Sequence, residues 1–199
     1  KDINDFPNQL LVHLFQFLQT KQLFQLEVVN KQWQLCARES IDKRITTLKL
    51  DNNCGRNMFS IENSALCLHR SIGDHNIDAI KKILSKCSNI KTIILLTTDR
   101  ENLASIAHYL PKLECLNVSR QSDDSAEEME KFAQIIAPKL IVCNLVMEKP
   151  NIQKIIFKHL KVIEEIRFAT KSEQEDEQLF YYLNLCKNLK KLSWGFSIM

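Results

Sequence analysis

The phrase apolar-x-x-apolar-x-apolar occurs six times after residue 44: Ile45/Leu48/Leu50, Ile90/Ile93/Leu95, Leu113/Leu116/Val118, Leu140/Cys143/Leu145, Ile163/Ile166/Phe168 and Leu189/Leu192/Trp194. The first positions are separated by 45, 23, 27, 23 and 26 residues. The long first interval leaves room for a degenerate copy at Leu66-Cys67-Leu68, with Asn63 in the first apolar place, which makes about seven. Recurrence at such a period marks an array of like units and constrains the fold more than any local propensity. The last two apolar residues of each phrase lie two apart, the period of a short strand with one buried face.

The segments between phrases read as helices. Thr98 with Glu101, Ser125 with Glu128 and Ser172 with Glu175 each pair a capping hydroxyl with an acid three residues later, which satisfies first-turn N–H groups reciprocally. Pro150 opens another helix. Ile77, Ile80, Ile83 and Leu84 keep helical spacing, as do Met129, Phe132, Ala133 and Ile136. A strand and a helix in 23 to 27 residues cannot bury an apolar face alone, so the units must stack around one core.

This pattern resembles the leucine-rich-repeat family. Cys87 and Cys186, each three residues before a phrase, resemble the cysteine-containing subtype of that family. The resemblance implies a curved solenoid with a parallel sheet on its concave side. The residues between the apolar positions would line that side: Lys91, Thr92, Ile94, Glu114, Cys115, Asn117, Ile141, Val142, Asn144, Glu164, Glu165, Arg167, Lys190, Lys191 and Ser193. Ile94, Ile141 and Val142 are apolar there and are candidates for a partner-binding patch. The competing reading is that single exposed apolar residues carry no meaning. No polar cap is recognisable at Met199, consistent with a truncated array or a covered edge.

The first 44 residues follow a different rule. Phe6-Pro7 marks a helix start, with Asp5 placed to cap it. Leu10, Leu11, Leu14, Phe15 and Leu18 then recur three and four apart, and Val12 and Phe17 add apolar surface outside that stripe. Leu23, Leu26, Val29 and Trp33, with Phe24 and Val28 beside them, form one or two further short helices after a break at Gln19-Thr20-Lys21-Gln22. A bundle this small buries too little surface to be stable alone. Its excess apolar residues face either the following domain or an external partner, and pattern leaves both open.

Phe6-Pro7, Leu10-Leu11, Leu14-Phe15, Leu18, Leu23, Val29 and Lys31-Gln32-Trp33 follow in order, without insertion or deletion, the residues of an F-box. The sequence departs from that pattern at Phe6, Gln9 and Asn30. The resemblance implies that Phe6, Pro7, Leu10, Leu11, Leu14, Phe15, Leu18, Leu23, Val29, Lys31 and Trp33 dock a Skp-family adaptor and, through it, a cullin. With the array, it implies a substrate receptor of a ubiquitin ligase, a non-catalytic role. The alternative within the same class is a repeat scaffold or inhibitor whose helical head caps the array.

Bond-making chemistry finds little support. No G-x-S-x-G, H-E-x-x-H or Gly-rich phosphate loop occurs, and the chain holds three Gly. The enzymatic alternative is a hydrolase with Cys115 or Cys143 as nucleophile beside a base such as His108. A zinc reading rests on Cys54, Cys67, His69 and His75, but Cys67-x-His69 is too short for ordinary ligand spacing, so neither metal nor cofactor is expected. The acidic runs Asp123-Asp124 to Glu130 and Glu173 to Glu177 sit at helix starts, where the helix dipole accounts for them. Seven Cys without C-x-x-C suit reduced thiols in the cytosol or nucleus. A net charge of +3 with neither sign segregated gives no nucleic-acid or membrane footprint. The reading is therefore α/β: an all-helical F-box bundle at 1–44 and a leucine-rich-repeat solenoid at 45–199, with an unknown protein target.

Overall fold

The computed structural model describes residues 6–50, 59–62, 64–68, 77–96, 102–119, 126–146, 150–170 and 176–196. Three helices come first: α1 (Asn8–Phe15), α2 (Thr20–Leu26) and α3 (Lys31–Arg44). Strands and helices then alternate as β1 (Thr47–Leu50), β2 (Phe59–Glu62), β3 (Ala65–Leu68), α4 (Ile77–Leu84), β4 (Thr92–Leu95), α5 (Leu103–Ala107), β5 (Cys115–Ser119), α6 (Ala126–Ile136), β6 (Val142–Val146), α7 (Pro150–His159), β7 (Glu165–Thr170), α8 (Asp176–Leu185) and β8 (Lys191–Phe196).

The recurring phrase becomes a parallel sheet. Strands β1 and β3–β8 run parallel, and β2 pairs antiparallel with β3 at one edge. The phrase repeats in register, so Leu48, Ile93, Leu116, Cys143, Ile166 and Leu192 are successive partners across the sheet. These residues point to the helix side, where all but Leu192 are buried. The first apolar residue of the first five phrases, Ile45, Ile90, Leu113, Leu140 or Ile163, is buried just ahead of its strand, while Leu189 of the sixth is partly buried against the core. Helical spacing holds equally: Ile77, Ile80 and Leu84 of α4 and Met129, Phe132, Ala133 and Ile136 of α6 are buried, while Ile83 packs partly against the core. Phe157 of α7 meets Phe168 of β7 edge to face at 6.2 Å, the offset geometry that ring quadrupoles favour.

The second copy of the phrase does not stack where sequence order would put it. Strand order is β2-β3-β1-β4-β5-β6-β7-β8, so Leu66 and Leu68 lie outside β1, and β1 pairs directly with β4. β2 and β3 pair antiparallel in the register Glu62↔Ala65. Residue 63, which the repeat reading needs as an apolar position, lies outside the described residues. Segment 59–68 therefore forms a hairpin at the sheet's end and covers an edge that would otherwise expose unpaired backbone groups.

Few of the expected helix caps fall within the described residues. Pro150 begins α7, but Thr98, Glu101, Ser125, Ser172, Glu175 and Asp5 lie outside the described residues. Glu128 serves the neighbouring helix: its Oε1 accepts from the Ala104 N–H in the first turn of α5 at 2.8 Å. The break at 19–22 is itself a helix start, where Gln22 Oε1 accepts from the Gln19 N–H at 2.8 Å. Asn30 caps α3 by accepting from the Trp33 N–H at 2.8 Å.

One apolar cluster runs from Leu11 and Phe15 through the sheet–helix interior to Cys186, so the helical head and the array share a core. Polar contacts reinforce the junction. Asp42 Oδ1 of α3 accepts from the Asn89 N–H at 2.8 Å and from Ser88 Oγ at 3.1 Å. Lys86 Nζ pairs with the buried Glu27 and lies 5.5 Å from the centre of the Phe24 ring. Removing the cation strands a carboxylate in an apolar junction, so Lys86→Ala is expected to cost about 3 kcal/mol. Glu27→Gln with Lys86→Met should cost clearly less; urea unfolding curves of the two variants provide the comparison.

Candidate functional site

Helix α1 has two apolar faces. Leu11, Val12 and Phe15 turn inward, and Arg44 and Gln32 of α3 hold the helix at its two ends. Arg44 donates to the Phe15 carbonyl at 2.6 Å and to the Leu18 carbonyl just beyond the helix, reinforcing the helix end. Gln32 Nε2 donates to the Phe6 carbonyl at 2.7 Å and to Asn8 Oδ1 at 3.0 Å. With Gln32 at its start and Arg44 at its end, α1 runs in the same sense as α3.

The second face is open. Phe6, Leu10 and Leu14 lie four apart on one stripe, with Leu10 38% and Leu14 46% exposed, and Phe17, 78% exposed, extends it. In the turn before α3, Val28 is 86% exposed and Val29 is open beside it; Leu35 is exposed on α3. Such a concentration of uncovered large apolar side chains on about forty residues is the mark of an interaction surface rather than ordinary scatter.

The docking residues expected from the sequence therefore divide. Phe6, Pro7, Leu10, Leu14, Val29 and Lys31 are exposed, and Leu18 and Trp33 are half-buried. Leu11, Phe15 and Leu23 are interior, where they close the bundle. Trp33 packs edge-on against Phe15 at 5.4 Å, and its Nε1 is buried without a partner. Phe17, Val28 and Leu35 belong to the exposed set. They escaped the sequence argument because it followed a single stripe, although the apolar character of Phe17 and Val28 off that stripe was the signal.

The second surface is the face of the sheet opposite the helices. Thr92, Ile94, Cys115, Asn117, Ser119, Val142 and Asn144 are half-buried there, and Val146, Arg167 and Lys191 are exposed. Lys91, Glu114, Ile141, Glu164 and Lys190 form a row at the strand starts, joined by backbone hydrogen bonds of 2.8–2.9 Å. Its side chains pair as Lys91 with Glu114 at 3.3 Å and Lys190 with Glu164 at 2.9 Å. Glu165 takes Lys191 at 3.0 Å and Arg167 at 2.6 Å, and those two contacts hold its carboxyl below the ordinary range. Ser193 is half-buried in β8.

The nucleophile alternative is not assembled. Cys115 lies on this open face, whereas His108 ends α5 on the other side of the sheet. Burial holds the Cys115 thiol above its usual value and the fully enclosed Cys143 thiol further above, opposite to the thiolate that nucleophilic attack requires. Of the zinc candidates, Cys67 is buried in β3, and Cys54, His69 and His75 lie outside the described residues. Among the described residues no cluster of three or more metal-ligating side chains occurs.

Comparison of the chain with curated proteins finds no match. A family model does match, over residues 3–47, and its description is F-box-like. That span contains α1, α2, α3 and the exposed Phe6–Leu10–Leu14 stripe, and these residues form an F-box-like domain.

Proposed function

We propose that the chain is the substrate-recognition subunit of a Skp–cullin–F-box ubiquitin ligase. The observation that carries this reading is the open apolar stripe Phe6–Leu10–Leu14–Phe17, with Val28 and Val29 nearby, on a segment matching the F-box-like model. F-box domains bind Skp-type adaptors, and a stripe left uncovered among the described residues supplies a surface for one. Residues 45–199 act as a leucine-rich-repeat array whose open sheet face holds the protein target, in the cytosol or nucleus. The cullin is reached through the adaptor. The work is geometric: both partners bound to one molecule raise the target's effective concentration at the transfer machinery. No bond chemistry is asked of this chain.

Two outcomes follow. Leu10→Asp with Leu14→Asp should weaken binding of a purified Skp-family adaptor by about 100-fold, two anchor residues being lost, with an unchanged circular dichroism spectrum. Retention of the adaptor by that variant, or no retention by the unaltered chain, removes the ligase reading. Val142→Arg should abolish co-purification of targets under proteasome block while adaptor binding stays intact; undiminished capture moves the target site off the sheet face.

A further inference from the structure

The array departs from its own rule at the end far from the head. Each helix packs on its successor, α5 on α6, α6 on α7 and α7 on α8, and from β4 onward each strand pairs with the next up to β8. Among the described residues nothing pairs with the outer edge of β8. Leu192 is exposed there although its counterparts Ile93, Leu116, Cys143 and Ile166 are buried. On α8, Tyr181 is 63% and Leu185 51% exposed, and a separation of four residues puts them on one stripe of the helix. Tyr182 meets Tyr181 edge-on at 5.5 Å and holds it in place, as suits an aromatic anchor.

Charge gives this end a direction. Helix α8 begins with Asp176-Glu177, whereas Lys187, just past the helix, and Lys190 and Lys191, at the start of β8, are exposed. Residues 178–186 between them carry no charge. A second α8 laid parallel would set acid beside acid and lysine beside lysine. One turned about a twofold axis normal to the sheet sets the acidic start of each helix beside the Lys187 end of the other.

We infer that this end is a homodimer interface, in which β8 pairs antiparallel with β8 of a second copy and the two α8 helices pack antiparallel across the same twofold axis. The contact is isologous and closes at two copies. It satisfies the backbone groups of an open edge and removes Tyr181, Leu185 and Leu192 from water. Opposed residues of an antiparallel pair share a face, so Ser193 opposite Ser193 keeps Leu192 of both copies on the helix side. The same register carries Lys191 to Gly195 of the second copy, where there is open space. The head leads into β1, away from β8, so both α1 stripes stay open, and the inference stands apart from what they bind.

Sedimentation equilibrium of the full chain between about 1 and about 100 μM should show monomer passing to dimer and nothing larger. Tyr181→Asp with Leu185→Asp should weaken the dimer by at least about 10-fold, with an unchanged circular dichroism spectrum. Lys187→Glu should weaken it too, and adding Glu177→Lys should restore it, because the twofold contact brings those two positions together. Ser193→Cys should give a disulfide-linked dimer on mild oxidation, whereas Ser119→Cys, inside the sheet, should give none. A chain that stays monomeric, or that grows into longer oligomers, overturns the inference. So does a dimer lost to Leu10→Asp with Leu14→Asp but indifferent to the α8 changes, which seats the second copy on the head. Absence of the Ser193→Cys cross-link, or of rescue by Glu177→Lys, overturns the antiparallel pairing and the inference with it.

Discussion

Asp42 and Arg44, two residues apart at the end of α3, reach to different neighbours. Asp42 holds the Ser88–Asn89 turn ahead of β4, and Arg44 holds the carbonyl of Phe15, which ends α1, and that of Leu18 beyond it. Each is a charge-assisted contact worth about 1.5–3 kcal/mol, and each is made by the helix that leads straight into β1. The direction of the open stripe on α1 is thus set by the same helix that places the first strand of the sheet. If α3 were two segments joined by a flexible link, the two surfaces would lose their fixed relation.

The continuous core has the same effect at lower resolution of detail. Ile41 and Ile45 are fully buried between head and sheet, and Lys86 brings a cation from the end of α4 to Glu27 beyond α2. A head too small to stabilise itself gains its stability from the array, and the array gains a cover for one end of its interior. Dependence of this kind makes domain boundaries in the chain a matter of sequence pattern rather than of separable folding units.

Most of the array was legible because a strand buried on one face and a helix on one stripe leave periodic signatures. The register of six phrases in the sheet, the buried residues of α4 and α6, and the start of α7 at Pro150 all follow from them. The place of Leu66–Leu68 was not legible, since alternation tells that a strand has a buried face and not which strand lies beside it. Long-range capping escaped for a related reason: Glu128 satisfies an N–H of the preceding helix, a partner 24 residues away that no local motif encodes. In the head, spacing found an amphipathic helix but not its second apolar face, so Leu11 and Phe15 were grouped with Leu10 and Leu14 although they lie on adjacent faces of α1, one buried and one exposed.

The two ends of the sheet differ in kind. At one, the β2–β3 hairpin turns the chain back antiparallel; at the other, β8 presents Leu192 44% exposed where Ile166, Cys143, Leu116 and Ile93 are 0%. An array of like units lengthens over evolutionary time by internal duplication, each new unit inheriting the buried face of the one before. The hairpin breaks that inheritance on its side, because a strand of reversed direction offers no template for another parallel unit. A further parallel unit would meet a matching edge at β8 and a mismatched one at β2.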